Sequence, residues 1–237
     1  MPTTYPGQRL PGVGTEVSAT PRRILLGGEP VYLPGGKIID GSLSRDPLNT
    51  GDVDVLRAGL LMGKITTGGL YAPAILGKTT VAYVDNDVAL TVGLPTAIEI
   101  VRRIGATGTF TVVGPATSAA VVSAATCTYS AVDVATGILT CADMNDDFIV
   151  GSLCLPNDGS QVPRAILAEE YGLKVTDENG VDIDIPFAKL LINGIVDTTM
   201  ILNMPAAAET YLRAYILTSA TTGLRLACPG IQFSDDF

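Results

Sequence analysis

Proline and glycine crowd the first 50 residues of this 237-residue chain. Seven of the 15 prolines (Pro2, Pro6, Pro11, Pro21, Pro30, Pro34, Pro47) and eight of the 26 glycines (Gly7, Gly12, Gly14, Gly27, Gly28, Gly35, Gly36, Gly41) lie there. Proline fixes φ and removes a donor, and glycine loses the most backbone entropy, so no helix of useful length survives that density. Residues 1–50 are therefore expected to form an extended N-terminal arm. Its apolar islands, Ile24-Leu25-Leu26, Val31-Tyr32-Leu33 and Ile38-Ile39, are too rich for a purely solvated tail. They predict a segment that lies on a surface, either the chain's own body or a neighbour's. An extended segment can add a strand to a foreign sheet edge. Fully drawn out, 50 residues reach on the order of 160 Å.

Charge separates the arm from the rest. The arm carries five basic and four acidic residues, whereas residues 51–237 carry ten and twenty, and the whole chain has a net charge of −9. A body this acidic is repelled by nucleic-acid phosphate and by anionic membrane, so neither is expected as a partner. No apolar run approaches 18 residues, so no membrane-spanning helix is expected. The start, Met1 to Pro6, lacks the basic and apolar regions of a secretory leader.

The chemistry-bearing residues are few. Histidine and tryptophan are absent. That removes Ser-His-Asp and Cys-His catalysis and histidine metal sites. The four cysteines, Cys127, Cys141, Cys154 and Cys228, show no C-x-x-C spacing and read as buried free thiols. Asp143-Met144-Asn145-Asp146-Asp147 and the Asp177–Asp184 run could offer oxygen ligands. Neither fits a calcium-binding loop, and both read as solvated turns. Glu169 and Glu170 are adjacent, so on a strand they point to opposite faces and do not flank one bond. No phosphate-binding lysine loop, dinucleotide glycine motif or G-x-S-x-G elbow is present. The expectation is a protein that binds or builds, with no catalytic residue, cofactor or metal.

Beyond Asp52 the pattern predicts short strands around tight turns, at Val53–Gly59, Leu60–Thr66, Leu70–Pro73, Thr79–Tyr83, Gly108–Val113, Ile149–Leu155, Ala165–Ala168 and Leu190–Val196. A helix over 97–104 is predicted from a capping box, Thr96 with Glu99, an Ile98–Val101–Ile104 stripe, and Gly105 as its stop. Thr126–Val132 and Ile138–Cys141 predict a hairpin around a five-residue loop, Asp133–Gly137. Pairing Val132 with Ile138 puts Cys127, Tyr129, Leu139 and Cys141 on one face. A last helix is predicted after Pro205, with Ala208, Leu212, Tyr215 and Ile216 as its stripe. The fold class is α+β, mostly β.

Two stretches resemble a known family. Asp52 to Pro73, DVDVLRAGLLMGKITTGGLYAP, is similar to the opening core motif of bacteriophage head decoration (cement) proteins of the lambda D type. There an apolar-Ala-Gly run leads through a glycine and a β-branched residue to a turn and Tyr-x-Pro. The residues that carry it are Leu56, Ala58, Gly59, Gly63, Ile65, Tyr71 and Pro73. Arg164–Glu170, followed by Phe187–Val196, resembles the second half of that core. Asp46-Pro47-Leu48-Asn49-Thr50-Gly51 is similar to its lead-in. The likeness covers about half of the chain. It divides the sequence into an arm (1–50), a core (51–89 with 149–237) and an inserted small β domain (90–148).

The resemblance implies a virion structural protein, made in the host cytoplasm and placed on the outer surface of the mature head. Such proteins bind the major capsid protein, commonly as homotrimers at three-fold and quasi-three-fold positions, and hold neighbouring capsomers together. The arm residues expected to make the contact are Ile24, Leu25, Leu26, Val31, Tyr32, Leu33, Ile38 and Ile39. Two other readings stand beside it. One is a surface-binding or adhesion module that recognises a glycan or host through the insert, using Phe110, Tyr129 or Phe148. The other is an acidic hydrolase with paired carboxylates in a cleft.

Overall fold

The computed structural model describes residues 24–33, 39–46, 49, 52–115, 122–176, 182–184, 188–202 and 230–234. Six strands come first: β1 (Leu25–Tyr32), β2 (Val55–Leu56), β3 (Leu61–Lys64), β4 (Tyr71–Pro73), β5 (Gly77–Lys78) and β6 (Ala89–Thr91). Helix α1 (Leu94–Arg103) follows, then β7 (Gly108–Pro115), β8 (Val122–Asp133), β9 (Ile138–Cys141) and β10 (Leu153–Leu155). The remaining strands are β11 (Pro163–Leu167), β12 (Tyr171–Gly172), β13 (Lys174–Thr176), β14 (Asp182–Asp184), β15 (Leu190–Asp197) and β16 (Gly230–Ser234). The protein is mostly β, with curled antiparallel sheets. The helix predicted after Pro205 lies outside the described residues, as does Cys228.

The first sheet has the order β1-β15-β11-β3-β4. β11 pairs with the first half of β15, at Leu190 and Leu191, and β16 runs parallel to the second half, Asn193–Asp197. Short apolar runs build its centre: Leu61-Met62, Ala165-Ile166-Leu167 and Leu190-Leu191. Successive side chains of a strand point to opposite faces, so an unbroken apolar run predicts a sheet covered on both sides. Leu61, Ile166 and Leu191 indeed enter one cluster, with Val113, Leu153 and Leu155 of the second sheet. Met62, Ala165, Leu167 and Leu190 enter another on the opposite face, with Leu56, Leu60, Tyr71 and Ile39.

The second sheet has the order β5-β10-β7-β8-β9-β6. The backbone N–H of Thr80, just past β5, donates to the Thr91 carbonyl of β6 at 2.9 Å, so the two ends of the sheet meet. Here the strands alternate. In β8 and β9, Cys127, Tyr129, Leu139 and Cys141 point inward, and Thr126, Thr128, Ile138 and Thr140 are less buried or exposed. Leu76, Leu90, Phe110, Val112, Phe148 and Cys154 fill the same interior, closed by Ala97 and Ile100 of α1. This sheet runs from Gly77 to Leu155, so it recruits strands from both sides of the expected 90–148 insert. The insert is not a closed unit, because β5 and β10 supply one wall of its sheet.

Several local expectations need correction. Helix α1 begins at Leu94, not 97, with Gly93 at its N-cap and no side-chain cap. Pro95 in the first turn, where its missing N–H costs nothing, explains the earlier start. Thr96 and Glu99 are consequently buried helix residues and form no capping box. The buried face is Thr96, Ala97, Ile100 and Arg103, and Ile98 is exposed. The hairpin register is one residue away from expectation: Val132 pairs with Leu139 and Asp133 with Ile138. An irregularity between Tyr129 and Ala131 restores Cys127, Tyr129, Leu139 and Cys141 to a common buried face. Thr79–Tyr83 is no strand: Tyr83 makes an isolated bridge to Phe148. The strand expected from Ile149 starts at Leu153.

Gly63 and Gly59 are among the glycines required by close approach. A Cβ on Gly63 would lie 1.8 Å from the Ser160 carbonyl oxygen, and one on Gly59 (φ +97°) would lie 2.2 Å from that of Met200. At Gly172 the space is open, with nothing within 4 Å. Gly63→Ala is therefore expected to cost at least about 1–3 kcal/mol, the usual range for overpacking. Gly172→Ala should be close to neutral. Urea unfolding midpoints of the two variants check this.

Candidate docking surfaces

Strand β1 is where the arm meets the body. It pairs antiparallel with β15, from Leu25 opposite Val196 to Tyr32 opposite Leu191. The register shifts three times along that short ladder. Gly28, with φ +79°, and Pro30, which has no N–H to donate, account for the irregular geometry. Among the described residues no strand pairs with its other edge, so β1 borders the sheet. Proline and bulges are the usual means of blunting such an edge.

The arm residues expected to contact a partner divide into two groups. Ile24 and Ile39 are buried in the chain's own clusters, and Leu33 packs against one of them. Leu25 and Leu26 are half-buried. Val31 and Tyr32 are exposed, at 44% and 37%. Ile38 lies outside the described residues.

Arginines fasten the end of the arm. Asp46, 1% exposed, accepts from Arg57 Nε at 2.6 Å and from a second guanidinium nitrogen at 3.0 Å. Such a two-pronged bond fixes geometry as well as charge. Arg45 pairs with Asp54. Arg102 of α1 donates to the Ser42 carbonyl and to Glu99 Oε2, the latter at 2.8 Å. Burial pushes the Glu99 carboxyl up, against the pull of Arg102.

Arg103 joins the two sheets. Its side chain is 1% exposed. It donates to the Pro73 carbonyl at 2.6 Å, to Asp158 Oδ2 at 3.0 Å and to Ser160 Oγ. Burial alone would raise the Asp158 carboxyl, but Arg103 and Ser160 hold it below its ordinary range. Composition and spacing gave no sign of this node, because its members are far apart in sequence and each is an ordinary residue.

The other sequence candidates resolve as structural groups. Leu56, Ala58, Ile65, Tyr71 and Pro73 are buried, and Gly59 and Gly63 pass against neighbouring backbone. Cys127, Cys141 and Cys154 are buried and free. A hydrogen bond between Cys127 and Cys141, together with burial, raises the Cys127 thiol, and the same bond lowers that of Cys141. Burial pushes Cys154 up to about 12. Asp143 Oδ1 accepts from the backbone N–H groups of Asn86 and Asn145, and Asp147 Oδ1 from that of Asp85, so these carboxylates order loops. Glu169 pairs with Lys189 at 2.7 Å. Among the described residues no group of three or more acidic or cysteine side chains is placed to hold a metal. No helix among them is long and apolar enough to cross a membrane.

No protein family, curated protein or solved structure matches this chain.

Two outcomes follow from this geometry. Arg103→Gln should cost about 3–5 kcal/mol, the range for breaking one side of a buried pair. A carboxyl with a depressed folded pKa stabilises above its unfolded value, about 3.9, and that stability is lost as pH falls through the folded value. Glu99, pushed up by burial, gives the opposite slope, and because Arg103 draws down both Glu99 and Asp158, the difference between wild type and variant reports the two carboxyls together. That difference should shrink below about pH 4 in denaturant titrations. Separately, Cys127 and Cys154 should resist alkylation in the folded chain and react on unfolding, as read by mass spectrometry of labelled peptides.

Proposed function

We propose that this chain is a capsid decoration (cement) protein that binds the outer surface of a mature phage head and stabilises contacts between major capsid protein subunits. The observation that carries the reading is β1: a bordering strand, preceded by 24 residues, that presents Val31 and Tyr32 at the rim of a sheet covered on both faces. The likeness of Asp52–Pro73 to the family core supports it. Under this reading the core is a compact decoration-protein body, assembled as a homotrimer at three-fold and quasi-three-fold positions. Because Ile24 and Ile39 belong to the chain's own core, the capsid contact falls to Val31 and Tyr32.

The action is mechanical and needs no reaction. Anything that binds only the assembled shell shifts the equilibrium away from disassembly. Three linked attachments per trimer multiply a weak individual contact. A strongly acidic outward face keeps such a coat from adhering to nucleic acid. The adhesion reading is weaker, because Phe110, Tyr129 and Phe148, the insert's aromatic residues, are all core residues. They have no face to offer a sugar ring.

Purified chain added to expanded, undecorated heads of its own phage is expected to bind and to raise their disruption temperature. Val31→Asp with Tyr32→Ala should weaken that binding about tenfold while leaving the unfolding midpoint nearly unchanged. Failure to bind any mature head, measured by co-sedimentation, would refute the reading.

A further inference from the structure

Four of the exposed large apolar side chains lie on two neighbouring loops. Val81, Val84, Val88 and Val150 are each more than half exposed. The loops that carry them, 81–88 and 143–150, are joined by a reciprocal backbone pair. Tyr83 N–H donates to the Phe148 carbonyl at 2.8 Å, and Phe148 N–H to that of Tyr83 at 2.9 Å. The buried Tyr83 hydroxyl donates to the Asp87 carbonyl at 2.5 Å and accepts from the Met144 N–H at 3.1 Å. With Asp143 and Asp147 tying the same loops, the surface is fixed in advance. Binding there does not require ordering the loops first.

The charge around these valines is of one sign. Loops 81–88 and 143–150 contain five aspartates, Asp85, Asp87, Asp143, Asp146 and Asp147, and no lysine or arginine. An apolar surface in such a setting selects an occupant that is both apolar and cationic. The segment ahead of β1 has that composition. Residues 1–23 carry Arg9, Arg22 and Arg23 against a single carboxylate, Glu16, with Tyr5, Leu10, Val13 and Val17 between them. Pro2, Pro6, Pro11 and Pro21 restrict its backbone, which lowers the entropy lost when it is ordered on a surface. Extended, it spans up to about 75 Å beyond Ile24.

We propose that the surface formed by Val81, Val84, Val88 and Val150 is the docking site for residues 1–23 of a second copy of this chain. Two bodies this acidic repel one another. An arginine-bearing segment from one, seated on this acidic apolar surface of the next, offsets that repulsion where copies meet. The inference does not depend on a capsid being the partner, and its test contains no capsid.

The test is sedimentation equilibrium of the full chain at low and at 0.5 M salt. Self-association is expected, weakened about tenfold or more by the added salt, because exposed ion pairs are screened at that strength. Val84→Ser with Val88→Ser, an exposed pair whose replacement leaves the core intact, should weaken it to a similar degree. So should Arg9→Glu with Arg22→Glu and Arg23→Glu. The control, Leu94→Ser with Ile98→Ser on the outer face of α1, should leave it unchanged. A chain that is monomeric at all concentrations overturns the proposal. So does an association that only the control pair weakens. Protection of loops 81–88 from hydrogen exchange in a monomer, lost when residues 1–23 are deleted, would mean that the segment folds back on its own body, and would overturn it equally.

Discussion

The apolar seam between the two sheets is the contact on which the other parts depend. Leu61, Ile166, Leu191 and Val196 of the first sheet meet Val113, Leu153 and Leu155 of the second there, and Ile24 closes the same cluster. Burying a side chain of this size contributes about 1.5–3 kcal/mol. The seam orients the second sheet against the first, and it places Arg103 of α1 within reach of Pro73 and Asp158. It also gives β1 something to lie on. Without Ile24 anchored there, the irregular pairing of β1 with β15 would rest on few well-aligned hydrogen bonds.

Much of this was legible. The apolar runs Leu61-Met62, Ala165-Ile166-Leu167 and Leu190-Leu191 announced strands covered on both sides. The alternation Cys127, Tyr129, Leu139, Cys141 announced a half-buried hairpin, and its one-residue register error was absorbed by an irregularity that only three dimensions disclose. The helix was legible in existence but not in phase. Pro95 set its start, and the tertiary contact chose Thr96, Ala97, Ile100 and Arg103 over the more apolar Ile98. Propensity and hydropathy rank residues one at a time, whereas burial is decided by what stands opposite.

The polar joints were not legible at all. Asp46 with Arg57, Arg103 with Asp158, and Arg102 with the Ser42 carbonyl each join segments remote in sequence. Charged residues are usually solvated, so a reading from composition places them outside. The arm was half legible: the islands at 24–26 and 31–33 were recognised as surface-seeking, but the sequence offered two surfaces. β1 takes the chain's own sheet, and only its outer residues remain for anything else. The acidic run Asp143–Asp147 was correctly read as a loop, but Asp182–Asp184 of the second run forms strand β14, and residues 177–181 lie outside the described residues. The valines beside the first run were not weighed, since scattered exposed valines are common on folded proteins.

Strand β15 has one further implication. It is flanked near one end by both β1 and β16: Leu25 lies opposite Val196, and Ser234 opposite Asp197. Neighbouring strands are about 4.8 Å apart, so Ile24 and Ser234 sit roughly 10 Å from each other on either side of one strand end. Whatever is attached before the one or after the other emerges from the same corner of the molecule. A short bridge could close that corner and let the polypeptide be reopened elsewhere, turning a linear order of strands into a ring without altering a single pairing.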